Sequence, residues 1–440
     1  MTAAASPGAF CAIDFGTSNS AIAVPSAAGA MALVPVEDGQ PTMPTAVFYQ
    51  VEGRAAHEPP LRLYGRAALA AYTEGHEGRL MRSMKSVLGS TLADQQTEVG
   101  AGHAVRYLDV VGGYLQHLKA LAEAAVGAPL ARAVLGRPVY FVDDDPARDA
   151  QAQAALEAAA RSTGFTEVSF QYEPIAAALD YEQHLAREEL VLVADIGGGT
   201  SDFSLVRVGP ERRARLDRRE DILANHGVHV AGTDFDRQVD LAAILPFCGY
   251  RGLGPARPDG PPREVPSRVY FDLATWHLVN TLYTRPRVHE LRRMKPFYGD
   301  PRQHARLMDV VEHHLGHALL AQAEAAKIAV AEGGSTDIDL HLVERGLAAR
   351  LDEGEAARAL DADLERIVTA ARETLRAAGV APDGVDVLYL TGGSTGFLPL
   401  VQRIAAAVPR ARPVTGDRHA SVAQGLGVHA QRLYAASGRG

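Results

Sequence analysis

Two stretches of the chain share one pattern of apolar and polar positions. Phe10 to Val24 reads FCAIDFGTSNSAIAV, an apolar run, a short polar turn and a second apolar run. Val191 to Val208, VLVADIGGGTSDFSLVRV, repeats it. Apolar runs of this length, joined by Gly, Ser, Thr and Asp, predict strand, tight turn, strand. Asp14 and Asp195 hold the same place in the two copies, so the chain reads as two related lobes.

Around these copies the period alternates. Ala133 to Phe141 (AVLGRPVYF) reads as a buried strand. Asp145 followed by Pro146 is a helix N-cap with proline at the first helical position, and the helix it opens stops at Gly164. Past the second copy lie Gly232 to Asp236 (GTDFD) and then a stretch from Pro246 to Arg268 dense in Gly, Pro and Arg, expected to be a long surface insertion. Helices are predicted over Pro301 to Ala331 and over Gly354 to Ala378. The latter places Leu360, Leu364, Ile367, Val368, Ala371 and Leu375 on one face and ends at Gly379 and Pro382. Val385 to Leu390 is a buried strand, GGSTGF a turn and LPLVQRIAAAV a helix, and a last helix runs from near His419 to Ala436. Alternating strands and helices define an α/β fold.

Composition bounds the reading. The chain has 440 residues, 47% hydrophobic and 22% charged, which fits a folded protein of more than one packed unit and excludes a disordered one. A net charge of −9 argues against a nucleic-acid partner. Two distant cysteines, Cys11 and Cys248, are too few for a disulfide framework or a zinc site, and a reducing compartment fits. With no basic leader and no apolar run of spanning length, no membrane association is expected and the location is expected to be cytoplasmic. Only four of the 44 basic residues are lysines, Lys85, Lys119, Lys295 and Lys327, so each one stands out.

A turn rich in Gly and Thr between two strands suits phosphate, because successive backbone N–H groups form an anion-binding concavity and glycine lets the backbone approach the oxygens. An aspartate at its start would repel phosphate, and it is better placed to hold Mg²⁺ through water. Two such hairpins facing each other would clamp a polyphosphate from both sides. Two plain hairpins are the bland alternative, and the matched aspartates count against it.

Other patterns carry less. Gly392 to Gly396 (GGSTG) matches the nucleophile elbow of serine hydrolases, with Asp417 and His419 or His429 as nominal partners, but no oxyanion segment accompanies it. Gly425 to Ala430 (GLGVHA) matches a dinucleotide fingerprint, yet sits inside the last helix and reads as a small-residue packing face. His313 and His317, one turn apart on the predicted helix, read as a solvated polar face because no third ligand is placed beside them.

Taken in order, DFGTSNS, DIGGGTSDFS and LTGGSTGF resemble the phosphate-1, phosphate-2 and adenosine motifs of the actin, hexokinase and heat-shock ATPase superfamily. TMPTAVFY at Thr42 to Tyr49, MKSVLG at Met84 to Gly89, RPVYF, YEPIAAALDY and GTDFD resemble segments of its heat-shock, DnaK-like branch, so that the resemblance covers essentially the whole chain. FDLATWHLVNTLY, which holds the only tryptophan, Trp276, is similar to the short stand-alone bacterial members called YegD-type.

The resemblance implies a two-lobed actin-like ATPase fold, each lobe a ribonuclease-H-like mixed sheet flanked by helices, with inserted subdomains. Lobe I would span 1–187, with the C-terminal helix 419–436 packing back on it. Lobe II would span 188–418 and include an inserted subdomain at about 238–346. No peptide-binding domain is expected. The cofactors implied are ATP or ADP and Mg²⁺, the latter held through water by Asp14 and Asp195. Gly16, Thr17, Ser18, Gly197, Gly198, Gly199 and Thr200 would cradle the phosphates. Lys85 would reach the γ-phosphate and the attacking water, with Glu173 and Asp202 orienting water and metal ligands.

Gly392, Gly393 and Ser394 would bear the adenosine, and Glu324 and Lys327 the ribose. Pro138 and Arg148 resemble a proline switch and its arginine partner. Three departures stand out: Gly396 replaces an arginine of the family, Phe397 is an extra residue, and Ala331 stands where the family has serine. The implied activity is slow ATP hydrolysis by a chaperone-like protein, with protein clients or co-chaperones reached through the insertion. A small-molecule, sugar-type kinase and an actin-like filament ATPase are the alternatives.

Overall fold

The computed structural model describes residues 9–435, apart from 27–28, 56, 91–92, 94, 101, 143–144, 259 and 418–419. The chain forms two compact units. The first comprises the chain through Gly227 with Ala370–Gly393 and the residues from Ala407 on, and the second comprises Val228–Thr369 and Ser394–Ala406.

The first unit holds two larger sheets built alike. In one, Ala9–Phe15 pairs antiparallel with Asn19–Pro25 and parallel with Leu130–Arg137, beyond which lies Glu167–Tyr172; Met31–Leu33 and Thr42–Pro44 add to Asn19–Pro25. In the other, Glu189–Ile196 pairs antiparallel with Ser201–Val208 and parallel with Val387–Thr391, with Ile222–Val228 and Arg412–Thr415 at the edges. Each sheet is therefore a hairpin whose first strand also carries a parallel neighbour. Its central strands are covered on both faces, which is why Cys11 to Ile13 and Val191 to Ala194 are unbroken apolar runs.

One apolar core joins both sheets to two helices, Glu173–Glu182 and Ser421–Ala435. It contains Ala12 and Val134 from the first sheet, Val193, Val206 and Tyr389 from the second, and Ile175, Leu179, Val422 and Leu426 from the helices. The small residues of the GLGVHA segment serve this packing: a methyl group on Gly425 would lie 1.8 Å from the Ala176 carbonyl oxygen. A second core gathers Tyr107–Val126 and Pro146–Ser162 against the first sheet. The latter helix starts as read from sequence: the Asp145 side chain accepts the Arg148 N–H at 3.1 Å. It ends at Gly164 with φ +92°.

Three predicted elements are corrected. The strand at Ala133 to Phe141 ends at Arg137, since Pro138 has no N–H to give a ladder. The helix over Pro301 to Ala331 is two, Pro301–Glu312 and Gly316–Ala329, broken where His314 takes φ +56°. His313 and His317 therefore share no helix face; His317 is buried and lies 3.1 Å from the Trp276 carbonyl oxygen. The helix over Gly354 to Ala378 also divides, into Glu353–Ala359 and Asp361–Ala377, although all six residues of its predicted apolar face are buried. Both cysteines are buried and free. The second unit is otherwise short helices and the two-stranded sheet Ser335–Asp339 with Ala348–Asp352. His419 and Ala436, the expected limits of the last helix, lie outside the described residues.

Candidate nucleotide site

The first hairpin turns at Gly16, Thr17 and Ser18. Asp14 lies opposite Ala21 on the ladder, and Phe15 opposite Ser20. A methyl on Gly16 would fall 2.1 Å from the Asn19 carbonyl oxygen, so only glycine closes this turn. The Thr42–Tyr49 segment braces it from outside: Thr45 donates its N–H to the Ser18 carbonyl at 2.8 Å, and the Thr45 and Ser20 hydroxyls bond at 2.8 Å.

The second hairpin turns at Gly197 to Thr200, closed by the Gly197 N–H donating to the Thr200 carbonyl at 3.0 Å. Asp195 faces Asp202 across its ladder. A methyl on Gly198 would lie 2.8 Å from Ser18 Oγ, so the two turns meet, while Gly199 faces open space. Gly392 follows Thr391, the parallel neighbour of Asp195. Its φ of +86° and its closeness to Ile196, whose carbonyl oxygen would be 2.4 Å from an added methyl, require glycine there too.

Charge concentrates beside these turns. Lys85, in the short helical turn Met84–Val87, contacts Glu173 at 2.5 Å, and both side chains are largely shielded from solvent. Burial, Glu173 and Asp195 push the Asp14 carboxyl up to about 8 against the pull of Lys85. Burial, Asp202 and Glu173 push Asp195 up to about 7. Burial disfavours the Lys85 charge, yet Glu173, Asp14 and Asp202 outweigh it and raise its pKa. Four carboxylates thus surround one ammonium. That excess of negative charge, in oxygen donors partly open to water, suits a hydrated divalent cation that brings phosphate with it.

Two glycines that no motif singled out shape this cluster. A methyl on Gly136 would stand 3.2 Å from Glu173 Cγ and Oε1, and one on Gly227 would stand 2.5 Å from Asp202 Oδ1. For Gly136 the available signal was a glycine inside an apolar strand pattern, which marks close approach of a neighbour; Gly227, in ILANHGV, carried no such signal.

The first unit thus brings together Asp14, both turns, Lys85, Glu173, Asp195, Asp202, Gly392 and Gly393. Ser394, Glu324 and Lys327 belong to the second unit. There Glu324 is exposed, whereas Lys327 is held by Asp236 of the GTDFD segment at 2.6 Å. Burial pushes Asp236 up to about 6 against that lysine. Phe397, the extra residue, is buried with its ring 6.2 Å from that of Phe235, and Leu398 donates its N–H to the Ala331 carbonyl at 2.9 Å. Arg148 is exposed and donates to the Gly89 carbonyl at 2.6 Å. The arginine next to Pro138, Arg137, pairs with Asp149 at 2.8 Å and lies over the Tyr172 ring.

Paired aspartate-led turns on twin mixed sheets define the class: the chain belongs to the Hsp70 protein family, whose model matches residues 10–240. Its mixed α/β architecture is that of the actin-like ATPase fold. Among curated proteins it is similar to a chaperone protein HscA homolog of Aromatoleum aromaticum, 27% identical over 439 residues, covering 96% of this chain and 57% of that protein. It is also similar to a chaperone protein HscA homolog of Chromobacterium violaceum, 25% identical over 441 residues, covering 96% and 58%. The chain thus spans a little over half the length of these relatives. Among the described residues, no helix is long and apolar enough to cross a membrane.

Proposed function

We propose that this chain binds Mg-ATP on the two facing turns and hydrolyses it slowly, in the service of a chaperone-like role. The observation that carries the reading is the meeting of Gly198 with Ser18 beside the Lys85 and Glu173 contact. Backbone N–H groups of Gly16 to Ser18 and Gly197 to Thr200 would take the phosphate oxygens. Lys85 would neutralise charge on the transferred group, and Glu173 and Asp202 would orient the attacking water, in a reaction that is mostly positioning. Asp14 and Asp195 would hold Mg²⁺ through water, and the ion, when bound, would supply charge neutralisation at the phosphates.

On this reading Gly392, Gly393 and Ser394, with Glu324 and Lys327, serve the adenosine. Lobe I would comprise 1–187 with the last helix returned to it, and lobe II 188–418. The bond from the Tyr434 hydroxyl to the Ala133 carbonyl, 3.2 Å, supports that return. Clients or co-chaperones would be met through the insertion at about 238–346, in the cytoplasm; the similarity to chaperone protein HscA homologs supports the chaperone part.

Calorimetry with ATP, with and without Mg²⁺, tests the proposal. Wild type should bind ATP in a Mg²⁺-dependent manner, and Asp14→Ala and Asp195→Ala should lose that dependence. Absence of ATP binding by wild type, or turnover unaffected by Lys85→Ala, would overturn it.

A further inference from the structure

The helix Glu173–Glu182 carries the Lys85 partner on its first residue and another carboxylate on its last. Glu182 is fully buried. It accepts both arms of the Arg218 guanidinium, at 2.8 and 2.9 Å, and the N–H of Gly209 at 3.0 Å. Arg218 is itself buried and donates through Nε to buried Asp221, which also takes Arg212, and Arg212 reaches Glu188 at 2.7 Å. Arg213 donates to the carbonyls of Glu182 and Leu185, each at 3.0 Å, and its own carbonyl accepts from Arg432 of the last helix at 2.6 Å. No step of the phosphate chemistry uses these groups.

Burying an ion pair seldom gains stability over apolar residues of the same volume, because desolvation offsets the attraction. What a bidentate guanidinium–carboxylate pair does supply is direction, since its planar fork fixes both partners. A ten-residue helix is a rod of about 14 Å between its first and last Cα. Its sides rest on apolar neighbours and on Gly425. A directional pair on its last residue adds a further hold along the axis.

We propose that Glu182 is a positioning residue: its clasp with Arg218 sets the axial position of the helix, and thereby holds Glu173 at contact distance from Lys85. Its kinetic consequence rests on the hydrolytic reading above; the geometric claim does not.

The test uses the scarcity of lysine. Reductive ¹³C-methylation of the full chain yields signals from Lys85, Lys119, Lys295, Lys327 and the N-terminal amine, with Lys85 identified by Lys85→Arg. Glu173→Ala marks where the Lys85 signal goes when the contact is lost. In Glu182→Gln the Lys85 signal should move most of the way to that position, while Lys119, buried in the same unit on the Thr163 carbonyl, stays put. Turnover of ATP in Glu182→Gln should fall by between about ten- and a hundredfold with KM within about twofold of wild type, the size expected of a small misplacement. Adding Glu182→Gln to Glu173→Ala should lower kcat no further.

An unmoved Lys85 signal, or losses that multiply in the double variant, would overturn the inference. A signal that moves together with that of Lys119 would also do so, because it indicates general loosening. Arg218→Lys, which keeps the charge and loses the fork, replaces Glu182→Gln if that variant does not fold. If wild type proves unable to hydrolyse ATP, the functional reading falls while the resonance experiment still decides the clasp.

Discussion

Gly198 in the second hairpin turn stands against Ser18 in the first: a methyl on the glycine would lie 2.8 Å from the serine hydroxyl and 3.3 Å from its Cβ. Two turns remote in sequence therefore share one small space, and the glycines in them are not equivalent.

Gly16→Ala pushes a methyl to 2.1 Å from the Asn19 backbone oxygen, and Asn19 is fixed by pairing with Pro44. Overpacking of this kind costs about 1–3 kcal/mol, so its Tm should fall and ATP binding should be lost with the turn geometry. Gly199→Ala meets nothing within 4 Å, so its stability should stay within about 0.5 kcal/mol of wild type. ATP affinity should nevertheless drop, because the added methyl occupies room left for the ligand. Thermal scans beside calorimetry separate the two; equal loss of stability in both variants would contradict the assignment.

Lys85→Ala removes the one ammonium that pulls against the raised pKa values of Asp14 and Asp195. Phosphate release should fall by about a hundredfold or more, the scale of losing one fixed electrostatic partner of a transition state. Lys85→Arg should not restore it, as the planar fork cannot stand in for a compact point charge. Turnover near wild type in either variant would count against the role.

Gly227→Ala and Gly136→Ala test two residues outside every motif. The first crowds Asp202 at 2.5 Å, the second Glu173 at 3.2 Å. Both should lower kcat more than they change the affinity for ATP, and the closer contact at Gly227 should give the larger effect. Steady-state kinetics of the pair against wild type checks the order.

Asp240 supplies a pH dependence. It is 1% exposed, neither carboxylate oxygen finds a hydrogen-bond partner among the described residues, and burial pushes its pKa from 3.8 up to about 8. The folded chain therefore keeps it neutral where the unfolded chain ionises it. Its stabilising contribution is complete below about pH 4 and is lost as pH rises to about 8, at up to about 1.4 kcal/mol per pH unit. Asp14 and Asp195 add the same sign in the absence of metal. Asp240→Asn should flatten this slope and raise Tm at pH 8; urea unfolding at several pH values measures it, and an unchanged slope would refute the assignment.

What could be read from sequence was local. Each hairpin is a contiguous segment, so Asp14, Asp195 and the turn glycines were visible in the order of letters, as were the Asp145 cap and the Gly164 stop. The two helix breaks were not, because neither His314 nor Leu360 is a residue that ends helices by itself. Lys327 was read from sequence as a ribose contact, and nothing local showed that Asp236, on a separate helix, would hold it. The Glu182 and Arg218 clasp was hidden for the same reason: its charges lie on an alanine-rich helix and in a polar loop, and only folding takes them out of water. Gly136 looked like an ordinary strand residue and Gly227 fell in no predicted element, since what makes both necessary is a carboxylate from elsewhere.

The contact between Gly425 and Ala176 leaves no room for a carbon in place of the glycine hydrogen. A codon library randomised at 425 and screened for folded protein should return glycine alone. The helices on either side would then be free to drift in sequence only as a matched pair, which makes this crossing a fixed point by which distant homologues of the chain can be aligned.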